Sequence, residues 1–200
     1  MPSKHDQYAF EYDQLSKEYH NHLADVLFGL CFEDINPQEK ILDVGIGTGI
    51  SSVLFRKAGL DVYGIDGSQA MLSVCRTKNI AHELIEQDIQ DLPWPYADVS
   101  IHHVISCGVF HFLGDLYPIF KEIQRVQISG GLFTFTVMLT NQKGEQQENF
   151  NYQIEDGFPV FTHSRQYINQ TLSDLHYFIT KEIVCLSSEK IFRVICAQKA

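Results

Sequence analysis

The segment Ile41-Leu42-Asp43-Val44-Gly45-Ile46-Gly47-Thr48-Gly49 constrains the fold of this chain more than any other. A short apolar run meets three glycines at alternate positions, the pattern of a buried strand that turns sharply into a helix. Glycine lets the main chain double back, and it lets a ligand lie against the backbone with no Cβ in the way. A helix that follows such a turn aims unpaired N–H groups and the positive end of its dipole at the same spot.

The strand-then-helix pattern repeats. Residues 40–44, 61–65, 83–86, 98–105 and 132–139 read as strands, and 49–58 (closed by Gly59), 69–77 and 116–126 as helices. Such alternation predicts parallel crossovers, hence a doubly wound, Rossmann-like α/β sheet with helices on both faces. Two late runs, 177–186 and 190–198, joined by Ser187-Ser188-Glu189, predict a C-terminal antiparallel hairpin and bring the sheet to seven strands, mostly parallel. Ahead of the sheet, apolar residues at helical spacing (Tyr8, Tyr12, Leu15, Tyr19, Leu23, Val26, Leu27, Leu30) predict one or two amphipathic helices, ended by Asn36-Pro37.

The expected organisation is one domain: a helical cap over 1–36, a ligand-binding core over 37–139, a polar, aromatic-dotted loop or lid over 140–162, and a helix plus hairpin over 163–200. In open α/β sheets ligands sit outside the carboxyl ends of the strands, where the strand order reverses. The loops after the strands are therefore where chemistry belongs.

Charge narrows the partners. With 25 acidic against 15 basic side chains the net charge is −10, which repels phosphate backbones and anionic membranes, and no basic cluster offsets it. Neither nucleic acid nor membrane is expected as a partner. The first residues lack the apolar run of a signal peptide, and the five cysteines are odd in number with no C-x-x-C pair. Free thiols in a cytoplasmic protein are the expectation.

The glycine spacing bears on the ligand. A dinucleotide fingerprint, G-x-G-x-x-G, would place a glycine at position 50, where the chain has Ile50. The pattern is D-x-G-x-G-x-G, led by Asp43, and a carboxylate there suits a cationic ligand better than a pyrophosphate. A tight turn with no ligand is the plainer alternative.

This segment resembles motif I of the class I S-adenosylmethionine (SAM)-dependent methyltransferases, and further features fall in the family's order across nearly the whole chain. The resemblance implies that Asp43, Gly45, Gly47 and Gly49 line the methionine half of SAM. It implies that Asp66, followed by Gly67 and Ser68 at the end of the second strand, accepts both ribose hydroxyls. Met71 then packs near the adenine, Asp88 accepts a hydrogen bond from its amino group, and the backbone N–H of Ile89 meets the ring. Ser106 closes the fourth strand beside the cofactor, and Tyr12 and Tyr19 of the first helix close over it, although core packing explains those tyrosines equally well. Gly114-Asp115-Leu116, Gly130 to Thr136 and Phe161 to Tyr167 are similar to methyltransferases often joined to tetratricopeptide repeats, and the overall pattern is similar to the ubiquinone/menaquinone type, which act on small molecules.

Methyl transfer from a sulfonium rests on alignment and desolvation, and a base is needed only when the nucleophile must lose a proton. No N-P-P-Y motif follows the fourth strand. His111, in Val109-Phe110-His111-Phe112, is the candidate base, with packing against its phenylalanine neighbours as the alternative. Adjacent strand residues His102 and His103 point to opposite faces and cannot share an ion, so no metal is expected. Cys107 lacks the charged partner a nucleophile needs. The expected activity is methyl transfer to a small acceptor, against two rivals: a non-catalytic SAM-binding module and a nicotinamide-dependent oxidoreductase.

Overall fold

The computed structural model describes residues 9–18, 22–139, 148–155, 157–187 and 190–200. Tyr8 and Tyr19, read above as helix-face aromatics, lie outside the described residues. The chain runs α1 (Tyr12–Glu18), α2 (Leu23–Cys31), β1 (Lys40–Val44), α3 (Val53–Lys57), β2 (Asp61–Asp66), α4 (Gln69–Thr77), β3 (Glu83–Glu86), β4 (His103–Ser106), α5 (Tyr117–Val126) and β5 (Leu132–Met138). It continues through β6 (Phe150–Glu155), β7 (Phe158–His163), α6 (Arg165–Asp174), β8 (Tyr177–Ser187) and β9 (Lys190–Lys199).

Seven strands form one sheet in the order β3-β2-β1-β4-β5-β9-β8, all running the same way except β9, which is antiparallel to both β5 and β8. β1 is covered on both faces, as its unbroken apolar run requires. Leu42 and Val44 enter a core cluster with α5 and α6, while Ile41 enters one with α2, α3 and α4. Helices therefore cover both sides, and the order reverses between β1 and β4, where a crevice must open.

Three local expectations change. The helix expected over 49–58 is regular only over Val53–Lys57, because Gly49 sits at φ +86°, outside any right-handed helix. The fourth strand begins at His103 rather than at 98. Val99 is at φ +53°, and only an isolated bridge from Ile101 to Gln127 precedes the ladder. The segment over 140–162 is not simply loop: its described residues form the β6–β7 hairpin, which runs to His163 and pairs Phe150 with that residue. The two adjacent histidines, of which only His103 lies in β4, take different partners. His102 accepts a hydrogen bond from the Lys40 N–H at 3.1 Å, whereas buried His103 accepts one from the Leu132 N–H at Nδ1 (3.2 Å) and donates from Nε2 to Glu39 at 2.8 Å. Burial depresses the His103 pKa, consistent with a neutral ring splicing β5 and the loop before β1 onto β4.

The turn after β1 is built on a charge. Asp43 ends the strand with its side chain wholly buried, and Oδ2 accepts hydrogen bonds from the Ser51 and Ser52 hydroxyls at 2.6 and 2.7 Å. Oδ1 has no partner. Burial outweighs the two hydroxyls and pushes the carboxyl pKa up to about 6. A carboxyl held more tightly by its proton when folded contributes stability that is complete below the unfolded pKa and is lost as pH rises through the folded one. Ionised Asp43 thus costs roughly 3 kcal/mol at neutral pH. Asp43→Asn removes the charge, so its stability relative to the native chain should climb by up to about 3 kcal/mol between pH 4 and pH 7 in urea titrations. A difference that stays flat across that window would show that the buried charge carries no such cost.

Candidate active site

A cleft of about 670 Å³ opens at the carboxyl ends of the parallel strands, at the reversal between β1 and β4. Its floor is the first turn. Gly45 and Ile46 donate their N–H groups to the Ile65 carbonyl at 2.8 and 3.2 Å, which ties the turn to β2. Gly45 is at φ +75°, and a Cβ there would come within 2.5 Å of Val109. Gly47, at φ +54°, differs: a Cβ would meet nothing within 4 Å, because that position faces the open cleft.

Asp66 links the first two loops. Its Oδ2 accepts from the Gly47 N–H and its Oδ1 from the Ser68 N–H, both at 2.8 Å. Ser68 in turn caps α4, its hydroxyl accepting from the Met71 N–H at 3.1 Å. In the third loop, Asp88 turns the chain by accepting from the Gln90 N–H at 2.9 Å, while the Ile89 carbonyl accepts from the Trp94 indole at 3.0 Å. Trp94 is buried, and its own N–H donates to Glu122 at 2.7 Å, so this loop is pinned to α5.

Of the residues expected around a cofactor, Tyr12, Gly45, Gly47, Asp66, Gly67, Ser68, Met71, Asp88 and Ile89 line the cleft together, as does His111. Three do not. Asp43 lies beneath the turn, engaged by its serines. Gly49 faces α4, where a Cβ would strike the Cys75 sulfur at 2.8 Å. Ser106 is fully buried and donates its hydroxyl to the Val44 carbonyl at 2.8 Å, lacing β4 to β1.

The structure adds residues that the sequence did not single out. Asp13, one residue after Tyr12, accepts from the Thr48 hydroxyl at 2.6 Å and pairs with Lys78, which also donates to the Thr48 carbonyl at 2.8 Å. Helix α1 is thereby fastened to the glycine turn. At the other end, Ser187, Lys190 and Phe192 bring the β8–β9 hairpin into the lining. The only hint in the sequence is that lysine and phenylalanine two apart on a strand share a face.

His111 lies in a short 3-10 turn, Phe110–Phe112. Phe110 is buried against Phe120, Phe133 and Phe135, which anchors the turn and presents His111 and Phe112 to the cleft. The imidazole centroid lies 4.1 Å from that of Phe112 and 5.9 Å from that of Phe192. His111 thus packs on aromatics and faces the cavity. The β6–β7 hairpin closes over the next residues. A Cβ at Gly114 would strike Phe150 and Phe161 within 2.9 Å, and buried His163 donates from Nε2 to the Gly114 carbonyl at 3.0 Å. Cys107 also lines the cleft, but burial pushes its pKa up, so it stays a thiol. Among the described residues no three His, Cys, Asp or Glu side chains form a metal-ligand group, and no helix is long and apolar enough to cross a membrane.

Residues 42–135 match the family model of the methyltransferase domain. The malonyl-[acyl-carrier protein] O-methyltransferase of Serratia marcescens is 34% identical over 103 residues, which cover 52% of this chain and 40% of that protein. The demethylmenaquinone methyltransferase of Corynebacterium kroppenstedtii is 37% identical over 102 residues, 50% of this chain and 42% of that protein. The chain thus matches about two fifths of the length of these relatives. A SAM-dependent methyltransferase from Methanosarcina mazei superposes with a TM-score of 0.72 at 17% identity, over 85% of this chain and 96% of that one. Glycine turn, strand-end carboxylate and strand order accompany this match: residues 42–135 resemble the methyltransferase domain, and the chain has the Rossmann-like fold of the solved SAM-dependent methyltransferases.

Proposed function

We propose that this protein transfers the methyl group of SAM to a small-molecule acceptor enclosed in the cleft. One observation carries the reading: Asp66 stands at the strand end in the cleft, its carboxylate already fixed by the Gly47 and Ser68 N–H groups. A carboxylate oxygen can accept more than one hydrogen bond, so a group already held in place at the strand end suits a ribose diol. The open space at Gly47 suits the methionine part, with no Cβ between ligand and backbone. Met71 and Ile89 offer apolar surface for the adenine, with Asp88 as acceptor for its amino group. Asp43, in this reading, acts from below by holding the turn, and Ser106 and Gly49 serve the fold.

A nicotinamide dinucleotide fits these residues less well. Ile50 lines the cleft where the third glycine would stand, and α3 has only five residues, starting at Val53, so no long helix aims its dipole at the turn.

Bound SAM supplies an electrophilic methyl on a sulfonium. The protein aligns the acceptor and keeps water out: α1 from one side and the β6–β7 hairpin from the other provide the cover. His111 is the group at the acceptor end that can take a proton from a hydroxyl or amine nucleophile. The net charge of −10, and a lining whose only lysine or arginine among the described residues is Lys190, favour a small acceptor over a nucleic acid.

Calorimetry should detect S-adenosylhomocysteine and no NAD; NAD binding without an S-adenosylhomocysteine signal would refute the assignment. Asp66→Ala should weaken S-adenosylhomocysteine about ten- to a hundredfold. Asp66→Asn should lose nearly as much, because its amide would face one of the two backbone N–H donors. Gly47→Ala should cost the fold only about 1–2 kcal/mol while abolishing binding, since the added methyl occupies the ligand's place. Asp13→Ala, measured in the same titration, should weaken binding about fivefold by unfastening α1, and should leave residues 1–30 open to protease even with ligand present. Unchanged protection would mean that α1 is held by its apolar face alone.

A further inference from the structure

We infer that the acceptor carries a carboxylate, seated by Lys190 at the end of the cleft away from Asp66, with its apolar body against Phe112 and Phe192. The inference deepens the small-molecule reading above and rests on it.

The geometry comes from the C-terminal hairpin. Ser187 and Lys190 are register partners across the β8–β9 turn, so their side chains emerge on the same face of the sheet. Phe192, two residues further along β9, shares that face. All three line the cleft, and Phe192 meets the His111 ring edge to face. The hairpin thus delivers one ammonium, one hydroxyl and one aromatic ring to the wall where His111 and Phe112 form the other side.

The ammonium is held rather than spent. Lys190 pairs with Glu155 of β6, and that cation keeps the Glu155 carboxyl below its usual range. Glu155 itself does not line the cleft, and its carboxylate lies within electrostatic reach of His111 as well as Lys190. An ammonium has three N–H donors, and Glu155 takes one direction only. The remaining donors match the two oxygens of a carboxylate. A phosphate dianion would call for more than one cation in a chain of net charge −10. A cationic amine would be repelled by the one charged side chain that this end presents. The carboxylate anchors the acceptor and leaves its body stacked between rings whose polar neighbour is His111.

The test uses the protein saturated with S-adenosylhomocysteine and matched pairs at millimolar concentration: benzoic acid with benzamide, hydrocinnamic acid with its amide, octanoic acid with octanamide. Ligand-observed NMR and calorimetry should show the acids bound about ten- to a hundredfold more tightly than the amides. Lys190→Gln should erase that preference while the S-adenosylhomocysteine affinity stays intact as the folding control, and Lys190→Arg should keep it. Glu155→Gln separates recognition from a mere strut: it should preserve or sharpen the acid preference, since Glu155 competes for the same ammonium. Acids and amides binding alike, or Glu155→Gln losing the preference together with Lys190→Gln, would overturn the inference and leave the small-molecule reading standing. If neither acids nor amides bind the loaded protein, the small-molecule reading falls and takes this one with it.

Discussion

Two carboxylates at neighbouring strand ends set the shape of everything around the cleft. Asp43 closes β1 and draws Ser51 and Ser52 down beneath the glycine turn; Asp66 closes β2 and draws Gly47 and Ser68 toward each other above it. The first is buried and bears a net electrostatic cost, because desolvation outweighs its two hydroxyl partners. The second is only half buried, so its two charge-assisted bonds come with solvent still at hand. The arrangement is asymmetric for a physical reason. A loop that changes direction three times in the left-handed region offers few backbone bonds of its own, and a carboxylate is the compact acceptor that can collect several donors at once.

The walls come from remote parts of the chain, each fixed by few contacts. Helix α1 reaches the turn through Asp13, Thr48 and Lys78. The β6–β7 hairpin seats its aromatic face on Gly114, where nothing larger than a hydrogen fits, and Tyr167 of α6 steadies the same loop by donating to Asp115 at 2.7 Å and accepting from the Leu116 N–H at 2.7 Å. Rigid floor and lightly fastened walls are the combination expected of a site that must admit ligands and then exclude water.

What could be read from the sequence follows from the range of the forces involved. β1, α4 and β3 were legible to the residue, because burial periodicity and a serine N-cap are local signals. So was the pairing of β8 with β9. The role of Asp43 was not: motif position says that a carboxylate is required, but only packing tells whether it faces the ligand or the serines below. Gly49 misled in the opposite way. Its place after the turn suggested helix, while its left-handed φ postpones the helix to Val53. The β6–β7 hairpin was hidden because Phe150, Tyr152 and Phe161 share one face while Phe158, paired with Glu155, takes the other, so no single alternation runs through the segment. Ser187, Lys190 and Phe192 were hidden because they join the cleft only once β9 has paired with β5, an interaction that spans more than 50 residues of chain.

That last pairing also explains how charge is distributed along the cleft. Carboxylates gather where parallel strands end, since each such loop must satisfy backbone donors, and the lining there contains Asp66 and Asp88. The antiparallel β9 runs the other way, so it brings its beginning, not its end, to the same rim. The residue at that beginning is Lys190. An acidic protein thereby places a single ammonium at one end of a cavity whose other end is acidic. Two chemically unlike partners can then be told apart by which end they enter, without any movement of the sheet. Reversing one strand achieves this polarity with no change in the core, since Val194, Ile195, Cys196 and Ala197 of β9 remain wholly buried. In the reading proposed above, the chemistry of the acceptor can therefore diverge through the hairpin tip while the turn proposed to hold the cofactor stays constant.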